Sequence, residues 1–219
     1  MSPPYRLERS RSTAASFHAR SVPDPAPRVI WWHDVTAPAL VLGSSQSEEI
    51  VDLDACRRAG VEVVRRRSGG GAVLLQPGAV TWIDVIVPRG APGWADDVHA
   101  PMAWLGAHLA GVIRELLPER RIAVHEGPMA TTPWSSLVCF DGFGAGEVLI
   151  DGCKAIGISQ RRTRHAARLQ CCWYRAYEPG DLVELLASDV RPAVGDLLPV
   201  ATVPADVATA IPGALTARL

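Results

Sequence analysis

Three groups of residues in this sequence are of a type and spacing that could do chemistry. The first is Arg65-Arg66-Arg67-Ser68-Gly69-Gly70-Gly71-Ala72-Val73, set between the apolar runs Val61–Val64 and Ala72–Leu75. Glycine accepts positive φ and has no side chain, so a ligand can come close to the backbone. Successive amides in such a turn can point into one concavity and hold an anion. Arginine at the rim adds planar, permanently charged donors suited to carboxylate or phosphate. The stretch reads either as a pocket for an acidic or phosphorylated small molecule or as a glycine hairpin with solvated arginines. It is not the phosphate loop of nucleotide hydrolases, because no lysine and serine follow the glycines.

The second is Lys154, at the start of a strand that follows an Asp151-Gly152 turn. A free lysine has a pKa of about 10.4, so it is charged unless strongly desolvated. An ammonium beside a developing oxyanion stabilises it most in a dry site. A hairpin lysine in solvent is the plainer alternative. The third is Cys139, in Cys139-Phe140-Asp141. A cation nearby would favour its thiolate and make it a nucleophile, whereas most free cysteines act as small buried hydrophobes. Cys56, Cys153, Cys171 and Cys172 are read as structural. Asp84 shares a side with Trp82 and Ile86 in an apolar run, where a carboxylate lies either on a solvated face, the more usual case, or in a pocket. His108 is read as structural or solvated.

The elements that must position these groups follow from periodicity. Val29–His33, Pro38–Leu42, Val61–Arg65, Ala72–Leu75, Thr81–Val87, Ile122–His125 and Leu169–Tyr177 read as strands, with Leu137–Phe140 a short β-like run. Glu147–Ile150 and Cys153–Ser159 form a hairpin. Val98–Leu117 has one apolar stripe at three- and four-residue spacing and is the best helix. Shorter helices are expected around Ile50–Arg57, closed by Gly60, from Pro179 to about Ala187, and over Pro204–Ala210. Residues 1–27, with Pro23, Pro25 and Pro27, read as a flexible arm. Strands outnumber helices and several are joined by hairpin-length turns, which predicts an α+β plan with antiparallel neighbours.

The 219 residues suffice for one domain and need no disulfide. A net charge of -1 gives no general argument for nucleic acid or an anionic membrane. The basic run Gln160–Arg168 has no interleaved aromatics, so it reads as a docking face for an acidic partner or as a solvated strand. No apolar run reaches bilayer length and no secretory leader opens the chain. Five cysteines, an odd count without scaffold spacing, suggest reduced thiols and a cytoplasmic location. With no CxxC or HExxH and six scattered histidines, no metal site is expected.

The Arg65–Val73 stretch resembles the RR-x-S-G-G-G-A-V segment of lipoate–protein ligases, and Leu42-Gly43-Ser44-Ser45-Gln46 resembles the L-G-x-x-Q segment before it. Glu147 to Gln160 is similar to the block that carries that family's catalytic lysine. Order and spacing agree across residues 28–187. The resemblance implies a class II biotinyl/lipoyl-ligase-like fold over residues 28–219, a mainly antiparallel mixed sheet flanked by helices, without a C-terminal accessory domain. It implies that Lys154 orients an acyl or acyl-phosphate oxygen. Arg66, Ser68, Gly69, Gly70, Gly71, Ala72, Glu147, Gly157 and Ser159 would then line the substrate or nucleotide site.

Three functions follow from the resemblance. The first is a ligase that activates lipoate or octanoate with ATP and Mg2+ and passes it from an acyl-adenylate to a lysine of a lipoyl-domain protein. The Ser-Gly-Gly-Gly form of the loop favours it. The second is a cysteine-dependent octanoyl transferase. Cys139-Phe140-Asp141, fifteen residues before Lys154, resembles the C-F-(D/E) step of those enzymes. They take the acyl group from acyl carrier protein and need no cofactor. The third is a non-catalytic binder. The chain departs from the pattern at Gly146-Glu147, where an Asn-Asp pair is usual, at Leu75-Gln76-Pro77, in place of Y-H-D, and at Cys171-Cys172-Trp173, in place of H-G-(S/T).

Overall fold

A computed structural model describes residues 4–219. It has ten strands: β1 (Arg6–Ser12), β2 (Val29–Val35), β3 (Ala39–Leu42), β4 (Glu62–Arg65), β5 (Val73–Leu75), β6 (Val80–Pro88), β7 (Ile122–Val124), β8 (Val148–Ile150), β9 (Cys153–Arg162) and β10 (Ala166–Tyr174). Five helices accompany them: α1 (Ala14–Ala19), α2 (Leu53–Arg58), α3 (Ala100–Leu116), α4 (Pro179–Val183) and α5 (Ala205–Thr216). Seven strands form one sheet in the order β1-β2-β6-β10-β9-β8-β7, and β4-β3-β5 form a second. From β2 to β7 every neighbour in the large sheet is antiparallel, while β1 runs parallel to β2 and β4 parallel to β3. This is the mixed α+β plan expected from the sequence.

Side chains alternate across a strand, and β6 shows what each face of the large sheet does. Ile83, Val85 and Val87 enter the main core, which α3 and α5 complete with Leu105, Leu109, Ile113 and Ile211. The apolar stripe read on the long helix is this contact. Trp82 and Ile86 point the other way. On that second face lie Asp84, Arg168 and Gln170, at opposed positions of β6 and β10 or their diagonals. It is covered by α1 and the small sheet. The β8–β9 hairpin turns through Asp151 (φ 52°) and Gly152 (φ 87°). Two consecutive left-handed residues match the twist of the flanking strands.

Four expectations are corrected. Residues 1–3 lie outside the described residues, but most of the supposed flexible arm is structured. β1 pairs with β2 over seven positions. α1 is capped by the Thr13 hydroxyl and buries Ala14 and Phe17. β1 escapes notice because an edge strand has one neighbour and alternates charged residues outward. Asp84 is not on a solvated face: it is wholly buried. Its carboxylate accepts from Trp82 Nε1 at 2.9 Å and Arg168 Nε at 2.7 Å, and lies 2.9 Å from His33 Nε2. The Gln160–Arg168 run is not one basic face. Arg168 is buried, and Arg162 donates to the carbonyls of Ala95 and Asp97 and stacks over Trp94. Leu137–Phe140 is not a strand. It makes a single parallel bridge, Ala72 to Val138, and then a 3-10 turn over Cys139–Asp141.

Arg168 joins the two layers of that second face. Beyond Asp84 it donates to Phe17 O at 2.8 Å and to Arg20 O at 2.7 Å, at the end of α1. Burial by itself would raise the Asp84 carboxyl; the facing His33 and Arg168 reverse this and hold it well below the usual carboxylate range. Replacing Arg168 by Met leaves a buried carboxylate without its guanidinium, so the variant is expected to lose about 3–5 kcal/mol of stability, measured by urea unfolding. A carboxyl held low in the folded chain adds stability above the ordinary Asp value of about 3.9, lost as the pH falls through the lower folded value. The acid side of the stability profile is therefore expected to flatten in Asp84→Asn.

Candidate active site

The glycine loop is fixed by close backbone approach. A Cβ on Gly43 would lie 1.9 Å from Gly70 O, and one on Gly71 would lie 2.7 Å from Cys139 N. Gly70 has φ +99°, which favours glycine. The loop thus lies between the end of β3 and the Val138–Cys139 segment. Ala72 N donates to Leu137 O at 2.8 Å and Cys139 N to Ala72 O at 3.0 Å. Gln46 ties the same parts together. Its Oε1 accepts from Gly43 N at 2.9 Å, and its Nε2 donates to Ser136 O and Leu137 O at 2.9 and 3.0 Å.

Arg66 and Ser68 are buried and serve the loop itself. The Arg66 guanidinium donates to Gly69 O, Gly71 O and Val41 O. Ser68 Oγ meets Gln170 Oε1 at 2.9 Å and Ser159 Oγ at 3.0 Å, joining the loop to β9 and β10. The ligand-directed donors that remain are backbone ones. Among the described residues, the amides of Gly69, Gly70 and Gly71 have no hydrogen-bond acceptor.

Lys154 is the chain's single lysine among 22 Lys and Arg residues, and it is only 2 % exposed. Its Nζ lies 2.6 Å from Glu147 Oε2 and donates to Cys139 O and Gly142 O at 2.8 Å each. All three ammonium protons therefore have an acceptor, on two separate segments of chain. Glu147 is buried too, and accepts from Gly144 N at 2.8 Å and Ile158 N at 3.1 Å. Phe140 lies under the ammonium, 5.1 Å from its ring centre. Gly157 makes room for both: a Cβ there would be 3.3 Å from the Phe140 ring and 3.6 Å from Lys154 Cε. Lys154 and Glu147 together hold the turn that presents Cys139.

Two cavities meet at this turn. A wide one of about 1030 Å³ is lined by Gly69, Gly70, Gly71, Glu147 and Lys154. A narrow, apolar slot of about 50 Å³ is lined by Val41, Val73, Leu75, Trp82, Gly157 and Cys172. Cys139, Ile158 and Ser159 line both. Cys139 is half-buried, and a Cβ built on Gly70 would be 3.7 Å from its sulfur. Burial pushes the Cys172 thiol up to about 12 and raises Cys171 as well. Of the cysteines on the slot, only Cys139 also reaches the wide cavity. The arrangement can bring an apolar tail, a carbonyl head, a sulfur nucleophile and free amides into one place.

Of the site residues named from the sequence, Arg66, Gly69, Gly70, Gly71, Cys139, Glu147, Lys154, Gly157 and Ser159 line one or both cavities, whereas Ser68 and Ala72 line neither, Ala72 being buried among Leu74, Leu137 and Val138. Arg66 and Ser68 differ from expectation in facing their own loop, and Lys154 in having its donors already engaged. Sequence reasoning missed His18, Trp82 and Gln170, which also line the slot. It also passed over one available signal. In a chain that uses arginine at its other basic positions, a solitary lysine marks a place where a planar guanidinium does not serve.

A model of the lipoyl protein ligase A/B catalytic domain matches residues 13–208. The octanoyltransferase LipM of Kyrpidia tusciae is 31% identical over 150 residues, which are 67% of this chain and 53% of that protein. The LipM of Staphylococcus aureus is 28% identical over 165 residues, 74% of this chain and 58% of that protein. The chain thus spans little more than half the length of these curated relatives. Among solved structures, a lipoate-protein ligase A bound with ATP superimposes with TM-score 0.67 at 18% identity, covering 98% of this chain and 83% of that one. A bipartite lipoate protein ligase from Thermoplasma acidophilum gives TM-score 0.69 at 15% identity, covering 100% and 83%. At these identities the likeness is one of fold.

Removing the ammonium leaves Glu147 buried and uncompensated, so Lys154→Met is expected to lose about 3–5 kcal/mol. Lys154→Arg keeps the charge, but a planar fork does not fit three acceptors grouped around one nitrogen. Its expected signature is a folded protein in which iodoacetamide alkylates Cys139 at an altered rate while Cys56 is unaffected. Peptide mass spectrometry reads both sites.

Proposed function

The chain belongs to the lipoyl protein ligase A/B catalytic-domain family, and from that premise we propose that it is an octanoyl transferase acting through Cys139. The observation that carries this reading is the position of Cys139, the one cysteine shared by the apolar slot and the wide cavity. The LipM relatives support it over the ligase reading placed first from the sequence.

The acyl tail enters the slot, and the thioester carbonyl of octanoyl-acyl carrier protein sits at the junction. The Cys139 thiolate attacks that carbon. The carbon–sulfur bond to the carrier breaks, and the carrier thiolate leaves and takes up a proton. One thioester replaces another, so no ATP is required. The amine of a lipoyl-domain lysine then attacks the acyl-Cys139 carbon. An amide forms, the amine proton is released, and the cysteine thiol is restored. In both steps negative charge develops on the carbonyl oxygen. The uncommitted amides of Gly70 and Gly71 belong to the loop that packs on Cys139, and preorganised donors are worth most in a water-poor site. Lys154 acts through the Cys139 turn, as a positioning residue.

A second reading is an ATP-dependent ligase for lipoate or octanoate. It is favoured by the free amides of Gly69, Gly70 and Gly71, which open on a cavity large enough for more than an acyl head. These amides would hold the acid's carboxylate and the phosphates. The nucleotide would supply an activated acyl group there.

Incubating the protein with octanoyl-acyl carrier protein without ATP is expected to give an octanoyl adduct visible by intact mass. Hydroxylamine should remove it, and Cys139→Ala should abolish it, with transfer to a lipoyl domain falling on the order of 10³-fold or more. No adduct, with ATP-dependent pyrophosphate release in the presence of free acid, would establish the ligase instead. Lys154 is the chain's one lysine and is buried, and an amide formed at any other amine resists hydroxylamine, which tells it apart from the thioester.

A further inference from the structure

One residue that lines the narrow slot, His18 on α1, comes from an α-helix and not from a sheet. The His18 ring lies 4.6 Å from that of Trp82, tilted by 30°, and its Nδ1 is 3.4 Å from Gln170 Nε2. Burial pushes the imidazole down to about 4, so at neutral pH it is an uncharged group suited to an apolar slot.

The direction of the slot follows from strand register. Gly157 on β9 is opposite Cys172 on β10, which is opposite Trp82 on β6. Phe140, next to Cys139, packs on Gly157, and His18 packs over Trp82. The slot therefore crosses two strand spacings, about 10 Å, from the Cys139 turn to His18. A tail that runs the length of the slot therefore ends at His18.

His18 is also firmly held. Phe17 beside it is buried, with its ring 4.2 Å from His33 and 5.7 Å from Trp82. The carbonyls of Phe17 and Arg20 accept from Arg168, which is paired with the buried Asp84. α1 is thus anchored on both sides of His18 by the large sheet. A wall held this way sets a length; it does not yield freely to whatever tail arrives.

We infer that His18 is the chain-length gauge of the acyl slot, closing its tail end against Trp82 and Gln170. The inference rests on the proposed acyl-transfer reading for its substrate class. A smaller residue at position 18 lengthens the slot and a larger one shortens it, while Cys139, Lys154 and the glycine loop at the other end are untouched.

The test uses the wild-type protein, His18→Ala and His18→Trp, with straight-chain fatty acids of four to twelve carbons. Binding is measured by calorimetry, and adduct formation on Cys139 from carrier thioesters of the same lengths. A methylene in an apolar pocket is worth roughly 10-fold or more in discrimination, so the best length is expected to rise by at least two carbons in His18→Ala. It should fall in His18→Trp. An unchanged length profile in folded His18→Ala would overturn the gauge, and so would a wild type that binds no fatty acid of any length. Should fatty-acid binding shift with residue 18 while no thioester acylates Cys139, the gauge stands and the transferase reading fails. Urea unfolding of each variant separates a lost fold from a changed slot.

Discussion

One buried ammonium holds this site together. Lys154 sits in a place where an unpaired charge would cost several kcal/mol after relaxation. It is tolerated because each of its three protons meets an oxygen: the Glu147 carboxylate and the carbonyls of Cys139 and Gly142. Those carbonyls belong to the turn that presents Cys139. The ammonium therefore acts as a nail through the turn, and Glu147 fixes the nail. The second oxygen of Glu147 accepts from Ile158 N on β9, the strand that carries Lys154, so the network closes on itself. A closed network in a low-dielectric site is rigid when fully satisfied. Cys139 inherits that rigidity.

The glycine loop depends on the same turn from the other side. Gly71 packs against the Cys139 backbone so closely that no side chain fits, and Arg66 and Ser68 direct their polar atoms inward to shape the loop. The loop's own amides are left available. The donors that the loop itself offers to an anion are thus backbone ones, and Arg66, one of the arginines that suggested an anion site from the sequence, serves as scaffold. Donors fixed in this way need no reorganisation when charge develops nearby.

How much of this could be read from the sequence depended on distance along the chain. The glycine loop, Cys139, Glu147 and Lys154 were legible because each sits in a short stretch whose residue types are constrained together. The Asp151-Gly152 turn was legible for the same reason. Asp84 was misread, since its partners His33 and Arg168 are 51 and 84 residues away and nothing local marks the pairing. The N-terminal strand and helix were missed because Arg6–Ser12 has the composition of a solvated tail. The backbone ladder to β2, the Arg9–Asp34 pair and the buried Tyr5 show that it belongs to the sheet. Missing α1 meant missing His18, and with it one wall of the slot.

These two kinds of interaction divide the labour of the site. The Lys154–Glu147 pair governs the head end, where bonds are proposed to form and break. The Asp84–Arg168 pair governs the tail end, by fixing α1 against the sheet. Lys154 is on β9 and Glu147 just before β8, whereas Asp84 is on β6 and Arg168 on β10, so the pairs share no residue. Sites that share no partners contribute independently, so the tail wall can change without disturbing the nucleophile. On the proposed reading, a fold built this way keeps one acyl-transfer centre while the length and polarity of the chain it accepts are altered by a single residue on a short helix. That separation follows from the sheet register, because the slot runs across the strands and its two ends rest on different ones.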